Sequence, residues 1–263
     1  MLNMLKYQFY RLTHNLSTYI ALFLIALFDI MIVEMNATIP GSLSGEEAIA
    51  NFMTATQMAS FSFVSMAVPI VYSTWAVIFA YGEFQQGYIR NIASSTNNKI
   101  SFFFGHMTVC AVMFIAFAIV SCISTIISSK LMIPDIETGD FVVLFKILSM
   151  QLYFHLAYAA LALLGVYFFR NIFIPLVMTF AVSMGIEPMP LIIVQNLIDK
   201  TLGEKGAVLN SWLNSLSITN NIFNVELSFY SGKGLEKHII MGGVILLIYS
   251  TLACLAITKK DIK

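Results

Sequence analysis

The dominant feature of the chain is a series of long apolar runs separated by short polar segments. Each run approaches or exceeds the roughly 20 residues that a helix needs to cross a hydrocarbon core of about 30 Å. The runs lack the alternation of polar and apolar positions that a membrane β-barrel requires. The pattern predicts six transmembrane helices, at residues 16–33, 61–80, 101–127, 141–169, 172–194 and 239–257.

Composition agrees with a membrane protein and excludes several other classes. Hydrophobic residues make up 59% of the chain and charged residues 11%, and the mean hydropathy is +0.84. A soluble domain has about 25% charged residues. The net charge of zero excludes a nucleic-acid binder held by a basic surface. Cys110, Cys122 and Cys254 lie inside apolar runs and form no CxxC, which indicates small buried hydrophobes rather than a metal or redox site.

The distribution of basic residues predicts the orientation of the chain. An even number of spans puts both termini on one side, and we expect that side to be the cytoplasm. The segments on that side then contain eight basic residues, whereas the opposite loops contain five. The eight are Lys6, Arg11, Arg90, Lys99, Arg170, Lys259, Lys260 and Lys263. The inner loops are short and the two longer outer loops leave no soluble domain outside the membrane, so residues 1–263 are predicted to form a single transmembrane domain.

Familiar catalytic motifs are absent from the sequence. It has no GxxxxGK[ST] phosphate-binding loop, no GxSxG and no HExxH, and its four histidines show no ligand spacing. Glu46 and Glu47 resemble the paired glutamates of some intramembrane proteases, but they lie in a predicted outer loop without an Arg or His at helical spacing. We therefore expect neither an enzyme nor a metal site, and an intramembrane hydrolase is the least favoured alternative.

The predicted inner loop at residues 81–100 has the most informative pattern. Glu83 is followed by Gly87 and by the pair Arg90 and Asn91, and an aromatic residue and Gly105 then enter the third run. This pattern, with the six-span layout, resembles that of the ABC-2 type transporter permeases. The chain lacks the proline common before the third span of that family, and a histidine follows Gly105 where a lysine is common.

The resemblance implies a role for this loop as a coupling helix that docks into a groove on a separate ATPase. The residues that correspond to it are Glu83, Phe84, Gly87, Arg90 and Asn91. A glycine at position 87 permits a tight turn or a close approach to a partner. The alternative is a solvated loop in which the Arg90 side chain extends to the membrane surface.

The N-terminal segment is predicted to form an amphipathic helix in the membrane interface. Apolar residues, among them Leu2, Leu5 and Phe9, recur at spacings of three and four, and Arg11 lies on the opposite face. In ABC-2 permeases the corresponding element is a connecting helix that also touches the ATPase. A generic interfacial anchor is the alternative.

Polar residues inside predicted spans are candidates for a translocation path, because charge in hydrocarbon is costly. The candidates are Asp29, His155 and Glu187. Asp29 either lines a path or pairs with another helix or the outer surface, and His155 either lines a path or hydrogen-bonds between helices. Glu187 follows Gly185 and precedes Pro188, a combination that predicts the end or a kink of the fifth helix.

The resemblance implies an all-α integral membrane protein with re-entrant outer helices before the last span, matching residues 191–198 and 211–223. The expected function is the permease subunit of a bacterial ABC exporter in the cell membrane. Two permeases, identical or similar, would work with two ATPase subunits that bind ATP and Mg²⁺. The expected substrate is amphipathic, either a membrane-active peptide or a lipid-like molecule.

The alternatives from another class are a stand-alone membrane immunity protein and a secondary carrier. A carrier would be expected to contain an inverted repeat with broken helices in both halves. The sequence shows no such pairing.

Overall fold

The computed structural model describes residues 2–38, 53–65, 67–85, 99–133, 136–186, 188–202, 210, 213–231 and 234–259. Ten helices account for most of these residues. They are α1 (Leu2–His14), α2 (Leu16–Thr38), α3 (Ala55–Val64), α4 (Ala67–Gln85), α5 (Ile100–Met132), α6 (Phe141–Phe169), α7 (Phe173–Ser183), α8 (Pro188–Leu202), α9 (Ile218–Ser231) and α10 (Leu235–Lys259).

Five helices, α2, α4, α5, α6 and α10, are long and apolar enough to cross a membrane. Helix α6 coincides with the predicted span at residues 141–169. A stripe on α5 contains Ile115, Ile119, Ile123 and Ile127, one residue per turn, and each is more than half exposed. A continuous apolar stripe of this kind is typical of a face that contacts lipid or another protein. The prediction of a helical membrane protein is confirmed at this level.

Contacts at the helix ends define an up-and-down arrangement. Near one end the Lys99 ammonium group, just before α5, lies 3.5 Å from the Thr258 carbonyl oxygen of α10. At the opposite end the Thr56 amide of α3 donates to the Thr138 carbonyl oxygen before α6 at 3.0 Å. We call the first end, where α1 also packs, the N-terminal side, and the other end the far side.

The second predicted span, at residues 61–80, is divided between α3 and α4. Helix α3 begins with a capping box, in which Thr54 accepts from the Gln57 amide while the Gln57 side chain accepts from the Thr54 amide. It ends at Ser65, whose backbone is extended with ψ of 155°. Pro69 in the first turn of α4 has no amide hydrogen to donate, and a helix tolerates proline at this position.

The fifth predicted span, at residues 172–194, is not one continuous helix. Helix α7 has 11 residues, which corresponds to about 17 Å and is shorter than a hydrocarbon core. Gly185 adopts a positive φ of 75° after it, and Pro188 begins α8. The predicted break at these residues is confirmed. The left-handed glycine turn separates two helices within the predicted span, so a sixth membrane-crossing helix is not confirmed among the described residues.

Helix α9 packs into the bundle beside the end of α7. The Thr219 hydroxyl donates to the Val182 carbonyl oxygen at 2.8 Å and lies 3.0 Å from the Tyr158 hydroxyl. One turn later along α9, the Ile222 carbonyl oxygen accepts from the side-chain amide Nε2 of Gln151 at 3.1 Å. Because α6 begins on the far side, this order of contacts shows that α9 starts deep along α6 and returns toward the far side.

Candidate functional site

A buried polar cluster joins α1 to the end of α4 on the N-terminal side. Glu83 is fully buried, and its Oε1 accepts hydrogen bonds from Gln8 Nε2 and from Arg11 Nη1, each at 2.5 Å. Arg11 Nη2 donates to the Phe79 carbonyl oxygen at 2.8 Å, and the guanidinium lies over the Phe79 ring at 4.5 Å. The carboxylate, which is almost fully buried, is therefore compensated by a guanidinium that is itself mostly buried.

His106 and Tyr167 complete the cluster from α5 and α6. His106 Nε2 lies 3.2 Å from Glu83 Oε2, and its Nδ1 lies 3.1 Å from the Tyr167 hydroxyl. The same Nδ1 also lies 3.0 Å from the Phe102 carbonyl oxygen of α5. We name the five residues Gln8, Arg11, Glu83, His106 and Tyr167 the anchor cluster, since it links four helices.

Small residues let α1 approach the bundle this closely. A Cβ on Gly82 would lie 3.3 Å from Arg11 Nη2, and a Cβ on Gly105 would lie 3.5 Å from Gln8 and Met4 side-chain atoms. The buried positions of α1 include Met4, Gln8 and Leu12. The face that packs on the bundle is therefore not the apolar face predicted from the sequence.

The outcome for the predicted interfacial residues is mixed. Phe9 is exposed at 38% and Leu5 is half-buried. Arg11 was predicted on the solvated face, but only 12% of its side chain is exposed, because Glu83 draws it inward. The amphipathic helix itself is present. The side chain of Leu2 lies outside the described residues.

The outcome for the residues predicted to couple to an ATPase is also mixed. Glu83 and Phe84 were predicted in a loop, but α4 continues to Gln85 and includes both. Glu83 is buried, and the ring of half-buried Phe84 lies 6.0 Å from the Tyr167 ring. Glu83 therefore contacts this chain's own helices rather than a surface that a partner reaches. Gly87, Arg90 and Asn91 lie outside the described residues.

Asp29 lies in a second buried polar group, between α2 and α5. Its carboxylate accepts from the Ser121 hydroxyl at 3.0 Å and from the Ser124 hydroxyl at 2.7 Å. Ser62 of α3 lies 3.0 Å from the Ser121 hydroxyl. Among the described residues, the polar partners of the Asp29 carboxylate are serine hydroxyls, and none is a lysine or an arginine. Asp29 thus faces other helices rather than the outer surface.

His155 is enclosed by aromatic rings in the middle of α6. Its Nδ1 lies 2.9 Å from the Gln151 carbonyl oxygen, whereas its Nε2 is buried without a polar partner in the part of the chain described. Phe114 lies nearest, with ring centroids 4.9 Å apart, and the rings of Phe63, Tyr72 and Tyr158 complete the enclosure. With Nδ1 donating to the carbonyl, Nε2 carries a lone pair into an apolar enclosure.

Helix α3 contacts both predicted path residues. Ser62 reaches the Asp29 group, and the adjacent Phe63 packs on His155. The structure therefore brings the two residues to neighbouring faces of one short helix. Glu187 lies outside the described residues.

A further carboxyl outside the spans approaches α3 from α9. The Ser60 hydroxyl donates to Glu226 Oε1 at 2.6 Å. Burial raises the pKa of the Glu226 carboxyl above its ordinary value, and the Ser60 hydrogen bond partly offsets this. On the same helix, Asn221 Oδ1 lies 2.7 Å from His238 Nδ1.

Several of these partners were not predicted from the sequence. Gln8 precedes Glu83 by 75 residues and Tyr167 follows it by 84, so spacing alone does not connect them. A signal did exist for the Asp29 group. Ser121 and Ser124 lie three residues apart in the third predicted span, which places them on one helical face.

No protein-family model and no curated protein match this chain. Function is therefore argued from the geometry and from the motif pattern alone.

Proposed function

We propose that the chain is the permease subunit of a bacterial ABC exporter, with both termini in the cytoplasm. The observation that supports this most is the anchor cluster. It joins α1 and the last turn of α4, the two elements that the ABC-2 resemblance associates with ATPase contact.

The anchor cluster gives these elements a mechanical connection. Residues 86–98 directly follow Gln85, and Glu83 lies less than one turn before it. A displacement of that segment by a partner would pull on Glu83 and, through Arg11 and His106, on α1 and α5. Separating buried charge-assisted hydrogen bonds is costly, because the carboxylate and the guanidinium would then remain unpaired in an apolar environment.

The roles of the other subunits follow from this proposal. Two ATPase subunits would bind ATP and Mg²⁺ and would contact residues 86–98, including Arg90 and Asn91. A second permease, identical or similar, would complete the translocation path. ATP-driven closure would favour one conformation only through contacts that differ between the two states, and the segment after α4 offers a place for them.

Asp29 and His155 are the proposed path residues, and the substrate is proposed to be an amphipathic peptide or lipid-like molecule. Both residues contact α3, which is separated from α4 by the extended residue Ser65. A short helix bounded by a break is able to move without displacing α4.

We propose that α8 and α9 form the re-entrant pair before the last span, since α9 begins deep along α6.

Affinity purification from native membranes tests the proposal. The tagged chain is expected to retain a second polypeptide with a GxxxxGK[ST] loop, and ATP hydrolysis is expected in the purified fraction. Recovery of the chain without any ATPase would contradict it.

Charge variants separate docking from folding. Arg90→Glu is expected to lose the ATPase while the Tm of the permease is unchanged, because residue 90 would act at the partner surface. The matched control is Lys200→Glu, an exposed cation on α8, which is expected to keep the ATPase. If Arg90→Glu retains the complex, the proposed docking segment is wrong.

A secondary carrier is the second candidate, and one observation favours it. Helices are interrupted in both halves of the chain, at Ser65 and at Gly185. Broken helices in both halves occur in several carrier folds. Reconstituted vesicles distinguish the two. A carrier would move substrate with an ion gradient and without ATP, whereas the exporter would require the ATPase and ATP.

A further inference from the structure

A cavity of about 370 Å³ opens where α1, α2 and α4 meet on the N-terminal side. Tyr10 and His14 from the last turns of α1, Asn15 between α1 and α2, and Tyr81 and Gln85 from the end of α4 line its polar part. Leu16, Ile78 and Ile172 line its apolar part. We name this cavity the headgroup pocket.

An apolar groove of about 390 Å³ adjoins the headgroup pocket. It runs between α2 and α4 past Ile20, Leu24 and Phe28, and Ile78 lines both cavities. The two together form one channel that is polar at the end of the bundle and apolar along the spans. A molecule that fills both cavities must have a polar group at one end and an apolar part beside it.

The lining of the headgroup pocket contains no described acidic residue. Arg11 lines the pocket and is paired with Glu83, which lies behind it in the anchor cluster, so an anion in the pocket would face no described carboxylate directly. The other described cations on this side include Lys6, Lys99, Arg170 and Lys259. Basic pockets between helices at a membrane surface are typical binding sites for anionic headgroups.

One lining side chain has a hydrogen-bond donor left for a ligand. Asn15 Oδ1 accepts from the Ser17 amide at 3.0 Å and from the Ser17 hydroxyl at 2.9 Å, so its side-chain NH₂ is the group left to donate. The Tyr10 and Tyr81 side chains line the same pocket. Amide and phenol donors suit phosphate oxygens.

We propose that the headgroup pocket binds the phosphodiester of an anionic phospholipid whose acyl chain lies in the groove between α2 and α4. The lipid would hold α1, α2 and α4 in register beside the anchor cluster. The proposal requires that these helices lie in a membrane and does not depend on the transport function.

The test compares wild type with the double variant Asn15→Asp and Gln85→Glu. Both changes are nearly isosteric, and aspartate keeps the cap on Ser17. Two new carboxylates facing a phosphodiester are expected to weaken retention by about tenfold or more. Native mass spectrometry of the detergent-purified full chain, loaded with phosphatidylglycerol, measures the retained lipid.

The control variant is Asn196→Asp with Asn224→Asp, two exposed amides on α8 and α9, and it is expected to retain phosphatidylglycerol like wild type. Equal retention by the pocket variant would overturn the proposal. Phosphatidylcholine bound as strongly as phosphatidylglycerol would overturn the anionic preference. Full displacement of the lipid by glycerol phosphate would overturn the role of the acyl groove and indicate a free-anion site instead.

Discussion

The pairing of Arg11 with Glu83 illustrates how one residue determines the position of a whole helix. Both groups would normally be solvated, and each is tolerated in the bundle because the other is present. Gln8 donates to the same carboxylate oxygen as Arg11, and His106 Nε2 lies 3.2 Å from the other oxygen. The pair thereby specifies where α1 docks, whereas apolar contacts alone would permit several rotations of the helix.

Arg11→Met is expected to be strongly destabilising, by roughly 3–5 kcal/mol, because it leaves Glu83 buried without its cation. The double variant with Glu83→Gln is expected to lose less stability than the single variant, since no uncompensated charge remains. Thermal unfolding of the detergent-purified protein measures both. Lys6→Met on the exposed face of α1 is the control and is expected to be nearly neutral.

Glu226 provides a prediction about pH. Its folded-state pKa is raised above the ordinary value of 4.5, so the folded protein binds this proton more tightly than the unfolded chain does. Its contribution to stability therefore falls as the pH rises from about 4.5 through the raised pKa. Glu226→Gln is expected to remove this part of the pH dependence of Tm. An unchanged profile would show that Glu226 is solvated in the folded protein.

At the level of elements, the contact between α6 and α10 depends on a glycine. A Cβ on Gly242 would lie 2.7 Å from Phe154 Cε1, whereas a Cβ on the adjacent Gly243 would meet nothing within 4 Å. Gly242→Ala is therefore expected to destabilise by roughly 1–3 kcal/mol through overpacking. Gly243→Ala is expected to be neutral or slightly stabilising, because alanine favours helix. Equal Tm values for the two variants would contradict the packing described.

The sequence predicts the long helices well, because a run of 20 or more apolar residues has few alternatives in a membrane. The break after α7 was also predictable from Gly185 and Pro188. The division at Ser65 was not, since its extended conformation is not encoded by a strong breaker there. The inward direction of Arg11 depends on Glu83, 72 residues away, and a local pattern does not contain that information.

On the scale of the whole molecule, the polar groups fall into layers. The anchor cluster lies at the N-terminal side, Asp29 and His155 lie on neighbouring faces of α3, and the contacts of α9 with Ser60 and Gln151 lie toward the far side. Each layer joins helices that are distant in sequence. The proposed exporter would require a displacement at the anchor cluster to reach α3 through these helices.

Site-specific photo-crosslinking in cells tests the central proposal most directly. A photoreactive side chain at Gln85, exposed at the end of α4, is compared with one at Leu131, 80% exposed near the opposite end of α5. We expect a crosslink from position 85, and none from position 131, to a polypeptide that mass spectrometry identifies by its GxxxxGK[ST] loop. A crosslink to that ATPase from position 131, or none from position 85, would contradict the proposed coupling.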